Sequence, residues 1–141
     1  MNNISNITIK TYNGSRNPSA VYVLSRGNNS GKLLDAPCPN CYEITAPSVD
    51  IKHIRAAVHI LFCSGLLRQY LHGSVIEFVR LEQYRKVFAE LWNMISPEVM
   101  EQTAKMLAGI DTCQADTIKK LKMLKEMRYL IARTATKQKA L

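Results

Sequence analysis

The chain has 141 residues, of which 47% are hydrophobic and 21% charged. That composition fits one folded domain and excludes wholesale disorder and fibrous repeats. The net charge is +8, and residues 117–141 carry eight Lys or Arg against Glu126 alone, so nearly all the excess sits in the last 25 positions.

The first 47 residues are rich in Asn, Ser, Gly and Pro between short β-branched or aromatic runs, and they read as strands and loops. Ile4 to Tyr12 alternates well enough for a half-buried strand, Ala20 to Ser25 is a stronger one, and Asn13-Gly14 with Asn17-Pro18 supplies turn chemistry between them. Tyr42 to Thr45 is a third, short strand. From Pro47 the apolar period lengthens. Ser48 and Asp50 are candidate N-caps, and residues 51–71 are apolar on two opposite faces, which predicts the central helix of the fold.

Ser74 to Leu81 reads as a strand, although Ser74 with Glu77 could also cap a helix. Leu81, Tyr84, Phe88, Leu91 and Ile95 then recur every three or four residues, a helix ending before Ser96-Pro97, with Trp92 in the core. Pro97 opens a shorter helix to about Ala108, before Gly109. A last helix, about residues 113–134, is expected to bury Met123, Leu124, Met127, Leu130 and Ile131. The expected fold is α+β in a single domain over 1–141: a small antiparallel sheet from a strand-rich N-terminal third (1–47), packed on four C-terminal helices (48–134), with a basic tail at 135–141.

Three constellations can carry chemistry. The first is Cys38-Pro39-Asn40-Cys41, the spacing of a zinc knuckle, with His53 and His59 as the remaining candidate ligands. Residues six apart on a regular helix point about 240° apart, so the set closes only on a distorted helix start. The alternatives are a redox pair and a plain Pro-containing turn with reduced thiols.

The second is the loop Ser25 to Lys32. It fails the phosphate-loop pattern on glycine spacing and on the residue after the lysine. Arg26, Gly27, Gly31 and Lys32 could still frame an anion nest, and the alternative is a glycine-supported turn.

The third is the basic helix, where Lys119, Lys122, Lys125 and Arg133 fall with Tyr129 opposite the Met and Leu stripe. Clustered cations release the counterions condensed on a polyanion, and an exposed ring can stack on a base. The alternatives are a solvated face that serves solubility and a Tyr129 at the edge of the core. No paired carboxylates or nucleophile with its base emerges, so a non-enzymatic binding module is expected. Its partner is DNA or RNA, or else another copy or another protein through the apolar stripe.

The stretch Val23 to Leu34, with Pro37 to Tyr42 and Gly73 to Arg80, resembles a family of uncharacterised small proteins from Bacteroides-type gut bacteria and their mobile elements, over about residues 20–95. The resemblance brings no site residues and implies a bacterial cytoplasmic setting. The sequence agrees on two counts. Met1 to Thr8 lacks the basic start and apolar stretch of a secretory signal. The longest apolar run, Ala56 to Leu67, is too short and too interrupted to span a bilayer, so no membrane partner is expected.

Overall fold

The computed structural model describes residues 6–139, so the Ile4 end of the first expected strand and the last two residues of the 135–141 tail lie outside the described part. Residues up to Lys105 form one unit and those from Met106 onward a second.

In the first unit the β-branched runs pair as expected. β1 (Thr8–Thr11), β2 (Val21–Leu24), β3 (Leu33–Leu34) and β4 (Cys41–Thr45) make an antiparallel sheet in the order β1-β4-β2-β3. Register decides what each face does. Ile9 pairs with Ile44 and Ile44 with Val21, while Thr11 pairs with Tyr42 and Tyr42 with Val23. Cross-strand partners share a face, so these rows form one side of the sheet, buried at Ile9, Val21, Val23, Tyr42 and Ile44.

Lys10, Glu43 and Tyr22 occupy the other side. Buried Glu43 is held there by Lys10 Nζ at 3.4 Å and by the Tyr22 hydroxyl, which donates to Oε2 at 3.4 Å.

Two helices and the start of a third complete this unit. α1 (Ile51–Cys63) starts at Asp50, whose carboxylate accepts from the Lys52 amide at 3.0 Å, and packs on α2, β2 and β3. It ends at Cys63 rather than near residue 71, because Ser64 turns back on Leu61 and Gly65 takes a positive φ of 77°. A short 3-10 turn at Arg68–Tyr70 follows.

β5 (Leu71–His72) and β6 (Phe78–Val79) form a two-stranded ribbon. The expected strand over Ser74 to Leu81 thus shrinks to two residues. Gly73 turns the chain at φ 97°, so close to the Ile76 carbonyl that a Cβ would overlap it.

α2 (Leu81–Met94) lines up Tyr84, Phe88 and Trp92 one turn apart, with ring centroids 6.2 Å and 5.8 Å apart along the stack. Its Arg85 reaches back to β1, where the guanidinium Nε donates to the Ile9 carbonyl at 2.8 Å.

Tyr84 is wholly buried, and among the described residues its hydroxyl has no hydrogen-bond partner. Burial pushes its ionisation well above the ordinary phenol range and raises that of Tyr42 as well. A phenol harder to ionise in the folded than in the unfolded state leaves stability unchanged below its ordinary pKa of about 10 and lowers it as pH rises past that value. Tyr84→Phe removes both the orphan hydroxyl and most of that dependence. Urea unfolding should show the variant about 1 kcal/mol more stable at neutral pH, with a wider margin in alkali; a less stable variant would refute the unpaired hydroxyl.

α3 (Pro97–Lys139) is one continuous helix of 43 residues. The fold is α+β as expected, but among the described residues three helices follow the sheet instead of four. Gly109 keeps helical dihedrals, having no positive φ, and so does not stop the chain. The interior glycine costs about 1 kcal/mol relative to alanine, too little to break a helix with good formers on both sides. Among the described residues no helix is long and apolar enough to cross a membrane.

Candidate functional site

In the second unit, residues 106–139 continue α3, and every residue from Ala108 to Gln138 is exposed. The Met and Leu stripe expected in a core is therefore on the surface: Met123, Leu124, Met127, Leu130 and Ile131 are 55% to 68% exposed. Periodicity marked an apolar side correctly, but these residues stand exposed, with no cover among the described residues.

At roughly 100° per residue, Lys119, Lys122, Lys125, Tyr129 and Arg133 share an arc of about 120° on the opposite side. Tyr129 is exposed, not an edge of a core. Among the described residues, none of these five side chains is engaged in an ion pair or hydrogen bond. Lys122, Lys125, Tyr129 and Leu130 border a shallow groove together with Glu126, the one carboxylate in the strip. The result is four ammonium or guanidinium groups and a ring along about 20 Å of helix.

The glycine loop turns out differently. The Gly27 amide donates to the Glu77 carbonyl at 2.7 Å, Ser30 to Gly27 at 3.1 Å, Gly31 to Leu24 at 2.6 Å and Lys32 to Asn29 at 2.9 Å. An anion nest needs amides that point at the ligand, and these four are occupied by the protein's own carbonyls. Gly27 and Gly31 have φ of 103° and 95°, and a Cβ on Gly31 would overlap Leu67. The loop is a glycine-supported turn that ties β2 to the β6 ribbon, and Arg26 and Lys32 point to solvent on either side of it. Next to it, Asn28, Asn29, Ser30, Phe62, Arg68 and Glu77 line part of a cavity of about 510 Å³, which no sequence pattern indicated.

The expected zinc set does not come together. Among the described residues no group of three or more His, Cys, Asp or Glu is placed to hold a metal ion. Cys41 Sγ donates to the Cys38 carbonyl at 2.9 Å and accepts from the Cys38 amide at 3.4 Å, which closes the Cys-Pro-Asn-Cys turn on itself. The turn packs under the second face of the sheet, where Ala20, Tyr22 and Cys41 form a small core flanked by Tyr12, Leu34 and Cys38. Tyr12 and Tyr22 meet edge to face there at 5.5 Å. His53 and His59 lie on regular α1, where His59 Nε2 is 3.9 Å from Cys63 Sγ one turn on.

Burial pushes the Cys41 thiol above its ordinary range. Native protein treated with iodoacetamide at about pH 8 should label exposed Cys63 first and Cys41 last. Equal rates, read by peptide mass mapping, would refute the closed turn.

No curated protein and no solved structure matches the chain. A family model does, from residue 9 through residue 134, which takes in all of the sheet but Thr8, the cavity and the cationic strip. On that coverage the chain belongs to the Family of unknown function (DUF6943).

Proposed function

We propose that this protein is a non-enzymatic nucleic-acid-binding module that lays the cationic side of α3 along phosphates. One observation carries the reading: Lys119, Lys122, Lys125 and Arg133 stand exposed on one side of a helix, their side chains not engaged in ion pairs among the described residues. Each cation that meets a phosphate releases condensed counterions, and that release drives binding without regard to base sequence. Tyr129 adds a flat ring among the cations, suited to stacking on an unpaired base. A cytoplasmic setting in Bacteroides-type bacteria or their mobile elements, where nucleic acid is abundant, belongs to the same proposal.

The test is fluorescence anisotropy with labelled duplex and single-stranded oligonucleotides across a salt series. Affinity should fall steeply and linearly on a log–log scale. Binding that is absent at low salt, or indifferent to salt, would overturn the reading.

A further inference from the structure

The side of α3 away from the cations holds a second pattern. From Met106 to Ile131 its positions recur in alternating steps of four and three residues, the heptad spacing by which helices wind about one another. Within it, Met106, Gly109, Ile110 and Cys113 line an open apolar groove. Four residues at i, i+3, i+4 and i+7 are the hole that a knob from a facing helix fills. A solitary helix of this length gains little from its own backbone hydrogen bonds, and helices in proteins draw most of their stability from packing an apolar face.

We infer that a second copy of this chain occupies that face, running antiparallel. The register follows from the sequence. With Thr117 of one copy level with Lys120 of the other, Cys113 meets Leu124, Ile110 meets Met127, and Met106 meets Ile131. Each apolar position then faces an apolar one, and the two polar positions face each other across the two-fold axis.

Charge selects the direction. Residues 106–116 contain Asp111 and Asp116 and no Lys or Arg, whereas residues 117–139 carry eight Lys or Arg against Glu126. Antiparallel copies set the acidic part of each against the basic part of the other and bring Asp116 close to Lys120 of the second copy. Parallel copies would oppose Lys120 to Lys120 and stack the two basic blocks. The overlap spans more than three heptads, enough for a sustained coiled coil.

This pairing uses the side of the helix that the phosphate-binding reading leaves free, and its test contains no nucleic acid, so either can fail alone. Nuclease-treated full chain at tens of micromolar should sediment at twice its 15.9 kDa mass. Leu124→Glu should weaken self-association at least about a hundredfold. The near-UV signal of Trp92 should be unchanged in that variant, because Leu124 is exposed in the single chain. Mild oxidation of Leu124→Cys should join the introduced thiol to Cys113 of the second copy, as read by mass mapping. A monomeric wild type, a Leu124→Glu variant as dimeric as the wild type, or a link from Cys113 to Cys113 would overturn the antiparallel pair.

Discussion

Changing Lys119, Lys122, Lys125 and Arg133 together to Gln is expected to lower affinity for duplex DNA on the order of a thousandfold at about 0.1 M salt. With four phosphates no longer neutralised, the slope of log affinity against log salt should flatten by about 3.6, each neutralised phosphate contributing about 0.9 on B-form DNA. The two proteins should converge towards 1 M salt, where the released counterions no longer gain entropy. Gln is nearly as good a helix former as Lys or Arg, and none of the four side chains holds an ion pair among the described residues, so helicity should persist and circular dichroism should show it. Lys52 and Lys86, exposed on α1 and α2, provide the control: the same change there should leave the slope intact. A fourfold variant with the wild-type slope would remove α3 as the phosphate-binding element.

Phe88→Ala is expected to produce the largest loss of stability. Phe88 is wholly buried between Tyr84 and Trp92 in the α2 stack. Truncating a large core aromatic costs about 3–5 kcal/mol, from the forfeited transfer energy and the cavity left behind. A unit of about a hundred residues holds about 5–15 kcal/mol in total, so the variant should approach marginal stability. Its melting temperature should drop on the order of 20 °C. The loss should appear in the near-UV signal of Trp92, whose ring rests on Phe88. A shift of only a few degrees would mean that the stack is free to collapse into the space.

How far the fold could be read in advance depended on whether the deciding interaction was local. β2, α2 and the Asp50 cap were legible because alternation, the 3.6-residue period and capping chemistry all act within a few residues. The strand at β4 was legible for the same reason, and its pairing between β1 and β2 followed only from the structure.

The grouping of Lys119, Lys122, Lys125 and Arg133 on one side was legible, since a helical face is a matter of spacing alone, whereas the exposure of Tyr129 among them followed only from the structure. What covers the apolar face is another matter, because an apolar stripe looks the same in sequence whether its partner lies in the same chain or in another. Gly109 misled in a related way: glycine permits a helix stop but does not impose one.

The Cys-Pro-Asn-Cys turn and the Gly27 to Gly31 loop were ambiguous because their meaning lies in distant partners. Tyr12 and Tyr22 under the sheet, and the Glu77 carbonyl far along the chain, turn a metal-like and a phosphate-like pattern into two structural turns. The cavity near Arg68 had no local signature at all.

The reach of Arg85 to Ile9 has a consequence for how the sheet ends. The Tyr12 amide donates to the Cys41 carbonyl on β4, so by alternation Lys10 also turns its peptide groups inward, and those of Ile9 and Thr11 point outward from the rim. Outward carbonyls on a border strand are an invitation to foreign backbone, and a neighbouring molecule could add itself there and seed aggregation. The guanidinium already occupies the acceptor at the middle of that rim. Any incoming strand would have to displace a charge anchored to a helix before it could pair, which keeps the four-stranded sheet finite on that side.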